Sequence, residues 1–429
     1  MNNSKPNNNS RISPWASLKK WLKLTAVIVA VLLVLLLGLV AIPVISPAAG
    51  AQMADTLRSI IGVQAVADIE SFSFQIQDVF NRTRYQVSGE KPKLSFASTP
   101  VDSQPTLPPI ETRAPRVALT ATPSTTLAGT PAAIKPAGPT PTPIPLPSVL
   151  DAAPYIDGGW QAFGPIMSGR PILARGTVKP DPARAYAQAA VVRIDLSQVD
   201  LHFILGTLEP VSARGVQPVT RTGFIPIQDQ SPDTSGLLVA FNGGFKSIHG
   251  NFGVAINGIN IITPSYGLAS LVIYNDGSID LGSWGIDITN TTNIVAVRQN
   301  CPMLLDMGHV NPSVNDGNRK EWGYTVKNLD TTWRSGIGIT RDGRFLIYAT
   351  GPSLTVQSLG DALRIAGAYN AMQLDINGFF TRFAIYHTAP PNSRHPVAAD
   401  KLLNEMSVTP NQFLEPYDRD FFYVTLHRN

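Results

Sequence analysis

Three short stretches of this 429-residue chain carry side chains suited to chemistry on an anionic, oxygen-rich substrate. The first is Leu238–Phe245, "LVAFNGGF", an apolar strand running into Asn242-Gly243-Gly244. Absent side chains let the backbone bend and approach a ligand there, and successive N–H groups can form an anion-binding concavity. An ordinary tight turn would use the same residues. The second is Trp333–Thr340, "WRSGIGIT", in which Arg334 stands at the mouth of a Gly-containing strand. A guanidinium so placed can grip a phosphate or carboxylate with two parallel bonds, or simply decorate a solvated sheet edge. The third is Gln373–Phe380, "QLDINGFF". Strand alternation puts Gln373, Asp375 and Asn377 on one face and Met372, Leu374 and Ile376 on the other. A partly buried Asp375 beside amides has its ionisation set by its surroundings, whether it acts on substrate or only bonds the N–H groups of the turn before Phe379.

Other polar residues are weaker candidates. His249, in "SIHGNFG", is close in sequence to Asn242 and can serve proton transfer or a structural loop bond. Asp306 and Glu321 are possible second carboxylates that read mostly as loop or surface residues. His309, His387 and His395 show no metal-ligand spacing, and Cys301 is the one cysteine, so no zinc site and no internal disulfide are expected. Cys301 reads as a small buried side chain. No cofactor is expected; Ca²⁺ or Mg²⁺ near Asp375 is left open.

The elements that must position these residues lie in the last 280 or so residues, 149–429, where short Val/Ile/Tyr-rich runs alternate with the hairpin dipeptides Asn257-Gly258, Asp276-Gly277 and Asp342-Gly343. "AQAAVVRIDL" and "VDLHFILG" read as a further strand pair. Ser358 followed by Asp361 resembles a capping box, Leu359, Ala362, Leu363 and Ala366 form one apolar stripe, and Gly367 can end that helix. "AMQLDI" then follows as a strand. The fold class expected is α+β, a β-rich domain of mixed or antiparallel sheets with few helices.

What precedes the domain is of another kind. Residues 24–46, "LTAVIVAVLLVLLLGLVAIPVIS", carry no charge and as a helix would be long enough to cross a bilayer. Residues 1–23 hold Lys5, Arg11, Lys19, Lys20 and Lys23 and no acid, which predicts a cytoplasmic basic tail and an extracytoplasmic C-terminal domain. The alternative is a signal peptide cleaved near Ala48–Ala51, against which the length of the apolar run argues. Residues 52–90 repeat apolar side chains every three or four positions and predict an amphipathic helix that lies on lipid or self-associates. Residues 92–148 hold fourteen prolines among Ser, Thr and Ala, and read as an extended, disordered stalk. Net charge is +4, but the basic tail contributes +5, so the rest of the chain is close to neutral and offers no nucleic-acid surface.

Taken in order, "FNGGF", "FGVAINGI", "RQNCPMLLDMG", "RSGIGITRDGRFLIYA" and "SLGDALRIAGAYNAMQLDINGF" resemble the phosphodiester glycosidase family from about Ala187 to the C-terminus. That family includes the lysosomal uncovering enzyme, which removes N-acetylglucosamine from mannose 6-phosphate, and bacterial exopolysaccharide-associated proteins. The resemblance implies the family's fold and a hydrolase site for a sugar-1-phosphodiester linkage; together with the apolar run 24–46, the expectation is an envelope-anchored enzyme acting on a polysaccharide or phosphoglycan. The resemblance implies Asp375, Arg334 and Asn242 as catalytic residues with Gly243 beside them, and the reading of the residues themselves adds Gly244, Asn377, Gly378 and His249 around the substrate. The family commonly reads Leu-Asp-Gly-Gly-Gly-Ser where this chain has Leu374-Asp375-Ile376-Asn377-Gly378-Phe379. That bulkier loop keeps open a second reading, a catalytically silent module that binds glycan.

Overall fold

The computed structural model describes residues 56, 57, 60–88, 94–97 and 156–427, apart from 168, 213–218, 231–235, 290–291, 317–320, 324–330 and 408. The expected basic tail, the apolar run 24–46 and nearly all of the Pro-rich segment lie outside the described residues. Among those described, no helix is long and apolar enough to cross a membrane. Contacts divide the chain into two units, Met1–Val66 and Ala67–Asn429, and all the sheets belong to the second.

Strands are numbered β1–β18 in chain order. The largest sheet has eight, ordered β1 (Asp157–Met167), β2 (Arg170–Val178), β3 (Ala189–Asp195), β14 (Phe345–Leu354), β13 (Thr332–Ile339), β15 (Asn370–Ile376), β11 (Leu305–Asp306) and β12 (His309–Val310). One five-stranded sheet runs β7 (Ile259–Ile262), β6 (Val254–Ile256), β10 (Ile294–Gln299), β8 (Ala269–Tyr274) and β9 (Ile279–Ser283). The other runs β17 (Val397–Lys401), β16 (Phe383–Thr388), β5 (Leu237–Asn242), β18 (Phe421–Leu426) and β4 (Val199–Ile204). The three hairpin dipeptides join β6 to β7, β8 to β9 and β13 to β14. Asn257 and Gly258 both have positive φ, 49° and 78°, the conformation a two-residue hairpin turn demands.

Two expectations change. The runs "AVVRID" and "VDLHFI" form adjacent strands β3 and β4 but do not pair: β3 joins β2 and β14, while β4 joins β18 in a different sheet. All ladders between these strands are antiparallel, one of the two sheet arrangements expected. β14 and β15 do run parallel, but β13 lies between them and is antiparallel to each. The connection from β14 to β15 is helix α2 (Val356–Ile365), preceded in the chain by helix α1 (Val63–Ser88). α2 starts three residues earlier than the Ser358 signal suggested. Thr355 is its N-cap, and Thr355 and Ser358 bond each other's backbone N–H reciprocally. Asp361 instead accepts from Gln357 and Arg364. The end is as expected, with Gly367 at φ 99°.

Alternation along the strands sorts side chains between two cores. Ile337, Tyr348, Met372 and Leu374 from the eight-stranded sheet pack with Phe241, Phe383, Phe422, Val254 and Leu271 from the other two sheets. Its opposite face carries Ile347, Ala349 and Ala371 against Leu359, Ala362 and Leu363 of α2. Burial of this kind contributes about 25 cal/mol per Å² and is the main force holding the layers together.

At the start of the Pro-rich stretch, Leu94–Ala97 lies on the domain rather than free of it. Phe96 bridges to Leu403, Ser95 bonds Glu405, and Arg175 stacks over the Phe96 ring.

Candidate active site

β5 ends at Asn242, and its neighbours β16 and β18 begin beside that end, with Phe383 opposite Phe241 and Phe421 opposite Asn242. The last turn of β15 leans onto the same spot: the Asp375 N–H donates to the Gly243 carbonyl at 3.1 Å. Four chain segments therefore converge, bringing Asn242–Lys246, Asp375–Phe380, Arg382 and Tyr417–Asp420 together.

Asp375 is the centre of this cluster. One carboxylate oxygen accepts from the Ile376 N–H at 2.9 Å, and the other accepts from Nη2 of Arg419 at 2.5 Å. Both side chains are almost fully buried, 4 % exposed for Arg419 and 8 % for Asp375. Burial pushes the Asp375 carboxyl above the ordinary carboxylate range, with Arg419, the Ile376 N–H and Lys246 pulling in the opposite direction. Burial works against the Arg419 charge too, but Asp375 opposite it holds that guanidinium firmly protonated. Arg419 also donates to the Gly244 carbonyl at 3.1 Å and stacks over the Phe380 ring, which Lys246 approaches as well.

A second buried arginine, Arg382, lies close by. Its Nε donates to the Phe379 carbonyl, and its guanidinium stacks on Phe379 and Tyr417. Burial lowers its pKa from the ordinary guanidinium value. Nη1 of Arg382 and Nε of Arg419 are buried with no hydrogen-bond partner among the described residues. A buried N–H without an acceptor costs about 1–3 kcal/mol, which an anionic oxygen from a ligand would offset.

The structure places the other sequence candidates differently. Asn242 is at the site but wholly engaged in it. Its Nδ2 donates to the Gly243 carbonyl and Ser335 Oγ, and its Oδ1 accepts from the Arg382 N–H and the Tyr348 hydroxyl. It ties β5, β13, β14 and β16 together, a positioning role. The Gly243-Gly244 concavity exists and holds a carboxylate of the protein itself. Gly243 N–H donates to the Asp420 carbonyl at 3.0 Å, and Gly244 N–H to Asp420 Oδ2 at 3.4 Å. A Cβ on Gly243 would lie 2.1 Å from Asp420 Oδ2, and one on Gly244 2.8 Å from Cζ of Arg298. Both glycines are needed for close packing against the buried Arg298–Asp420 pair, whose Nε–Oδ2 distance is 2.7 Å.

Arg334 is fully buried and turned elsewhere. It donates to the Leu354 carbonyl at 2.9 Å and to Gln373 Oε1 at 3.2 Å. Gln373 in turn reaches the Trp322 carbonyl and Cys301, whose thiol burial pushes up in pKa. The guanidinium facing Asp375 is Arg419, not Arg334. Asn377 shapes the loop: at φ 81° it bonds Trp333 O, and it accepts from the Phe379, Phe380 and Thr381 N–H groups. Gly378 leaves no room for a Cβ beside Trp333, 2.9 Å away. His249 lies in a 3-10 turn, Ser247–His249, and none of the described bonds of Asp375 involves it. No group of three His, Cys, Asp or Glu able to hold a metal ion occurs among the described residues.

The residues that sequence reasoning missed are Arg419, Asp420, Arg298, Arg382 and Lys246. One signal was available. Asp418-Arg419-Asp420 is a charged triplet directly before the apolar "FFYVTL" strand, a costly position unless the charges are paired inside.

A family model for phosphodiester glycosidases matches residues 235–378, which hold Asn242, Arg298, Asp375 and the glycine pair. This stretch is a phosphodiester glycosidase family domain. A comparison with curated proteins finds no match. Among solved structures, the zebrafish N-acetylglucosamine-1-phosphodiester alpha-N-acetylglucosaminidase catalytic domain, auto-inhibited by its pro-peptide, is 15 % identical with a TM-score of 0.37. The match covers 63 % of this chain and 88 % of that one. A hypothetical protein from Synechocystis is 12 % identical (TM-score 0.32, covering 61 % of this chain and 63 % of that one). A putative exported protein from Burkholderia pseudomallei is 9 % identical (TM-score 0.27, covering 56 % and 74 %). These likenesses are remote, and the assignment rests on the family match. Arg419 and Asp420 lie beyond the matched residues, so part of this cluster comes from the segment just before the C-terminal strand.

Proposed function

We propose that this domain hydrolyses a sugar-1-phosphodiester linkage in envelope or extracellular polysaccharide, as an enzyme anchored through residues 24–46 with its C-terminal part outside the cytoplasm. The observation that carries the reading is the Asp375 carboxylate set among Arg419, Arg382 and Lys246, at a point where four segments of a phosphodiester glycosidase domain converge. Arginine nitrogens without a partner are suited to the diester anion. Ionised Asp375 then acts as base toward water, or as nucleophile, at the anomeric carbon. The new bond forms from oxygen to that carbon, the carbon–oxygen bond to phosphorus breaks, and the phosphate monoester departs with the electron pair. Such a monoester has a second pKa of about 6, so it leaves without a strong general acid, and a single carboxylate suffices.

One observation favours a second reading. The loop after Asp375 carries Phe379 and Phe380, which lie over the two arginines, so that the same cations and rings would suit a glycan-binding module without turnover. Release of free sugar from an N-acetylglucosamine-1-phosphodiester separates the two. Turnover by the full chain, lost in Asp375→Asn, supports the enzyme; binding without turnover in both proteins supports the silent module.

A further inference from the structure

Over its last turns, from Ile76 to Ser88, helix α1 presents its apolar and polar faces the opposite way round from a surface helix of a globular protein. Asp78 faces the domain, where it accepts from the Tyr186 hydroxyl and from Thr331 Oγ1 and lies 3.6 Å from Nε of Arg184. Tyr85, seven residues on and therefore on the same side, packs its ring 6.4 Å from that of Tyr186. Ile76, Val79, Phe80 and Val87 recur at the spacing of one helical face and are 48, 62, 64 and 83 % exposed. A helix that docks through its polar side and turns an apolar stripe outward is suited to an apolar partner.

We propose that this stripe lies on a lipid bilayer, so that α1 is an interfacial helix holding the domain at the membrane surface. Two observations favour lipid over a second copy of the chain. Residues 24–46 form an uncharged apolar run preceded by a basic tail, and that run ends only 30 residues before Ile76. The stripe is also narrow. Four side chains offer a few hundred Å², short of the ~800 Å² per partner that a specific dimer buries, whereas a bilayer asks for no shape complementarity. Arg84 borders the stripe and is exposed, at the depth where lipid headgroups would meet it.

The consequence concerns the Pro-rich segment. Leu94–Ala97 already lies against the domain, and β1 begins at Asp157. The prolines between them are therefore flanked on both sides by residues of the domain. They do not separate it from the membrane, and the chain before α1 sets that distance instead.

The test places nitroxide labels on the full chain, one at a time, through I76C, F80C and V87C and, off the stripe, R82C and S88C. Each variant is reconstituted into phosphatidylglycerol–phosphatidylethanolamine nanodiscs holding one chain apiece. The native Cys301 is buried and does not compete for label. Collision with dissolved oxygen relative to a water-soluble nickel chelate should be at least severalfold higher at 76, 80 and 87 than at 82 and 88. Equal ratios at all five positions overturn the proposal, as does failure of the chain to enter the discs. Protection confined to discs loaded with two chains overturns it in favour of a second copy. None of these outcomes depends on turnover, so the proposed activity stands or falls separately.

Discussion

Replacing Arg419 by Gln tests the ion pair at the centre of the site. The guanidinium is 2.5 Å from the Asp375 carboxylate, and both side chains are more than nine-tenths buried. Removing one partner of such a pair typically costs about 3–5 kcal/mol, because the other charge is left uncompensated. The electrostatic part can be estimated separately. At ~4 Å and an effective dielectric of ~20, two unit charges interact by about 4 kcal/mol, and one pKa unit is about 1.4 kcal/mol. Water entering the vacated space screens part of this, leaving an upward shift of about 1–3 units in the Asp375 carboxyl. Base or nucleophile must be ionised, so the acidic limb of kcat/KM against pH should move to higher pH by that amount. In the wild type that limb should itself lie above the ordinary carboxylate value, since burial raises Asp375. The same sign governs stability. A carboxyl raised on folding adds stability that is complete below its unfolded pKa and is lost as pH rises through the raised value. Wild type minus Asp375→Asn should therefore show unfolding free energy falling with pH across that window. The assays are urea unfolding and sugar release across a pH series. An unchanged acidic limb in Arg419→Gln would refute the assignment of Asp375 as the titrating group. Full stability in that single variant would show that the pair is not sealed from water.

Three further outcomes follow from the same geometry. Gly244→Ala places a methyl group 2.8 Å from Arg298 Cζ and should destabilise by about 1–3 kcal/mol in urea; unchanged stability would mean that the Arg298–Asp420 pair has slack. Arg334→Met removes a donor from Leu354 O and Gln373 Oε1 and should cost about 1–3 kcal/mol of stability while KM and the pH profile of the folded fraction stay put. A selective rise in KM there would instead put Arg334 at the substrate. Arg382→Met, in contrast, should raise KM for a phosphodiester at least tenfold, and an unchanged KM would remove Arg382 from substrate binding.

How much of this was legible in the sequence depended on the range of the interaction. Local signals read well: the Asn-Gly and Asp-Gly hairpins, the α2 stripe and the shared face of Met372 and Leu374 on β15 each involve residues a few positions apart, although Ile376, expected on that face, packs in the other core beyond a register shift against β13. The family motifs pointed to Asp375 and Asn242, and both are at the convergence. Pairing between distant segments could not be read. β3 and β4 are chain neighbours with similar composition, yet each pairs in a different sheet, and their apolar side chains meet in one core between the sheets. Arg334 and Arg419 both stand next to an apolar strand, and only the fold decides which one meets Asp375. The glycine pair was correctly singled out for close approach, but what approaches is Asp420, from 176 residues along the chain.

Charge matching at the convergence explains why three arginines are buried there and what separates one from the others. Arg298 bonds Asp420 through Nε and Nη2, and its remaining Nη1 donates to the Gln299 carbonyl. Arg419 is matched by Asp375. Arg382 bonds no carboxylate among the described residues; its described partners are a carbonyl oxygen and two aromatic rings. Its burial therefore carries a desolvation penalty that nothing in the protein fully offsets, which is why its pKa falls. An unmatched buried cation beside a carboxylate is a poor choice for stability alone, because an apolar residue of similar volume would cost less. It is a sound choice for a site that receives one negative charge at a time, as a phosphodiester supplies. On the proposed function, the Arg298–Asp420 pair would build the floor, Arg419 would orient the Asp375 carboxylate, and Arg382 would be left for the ligand.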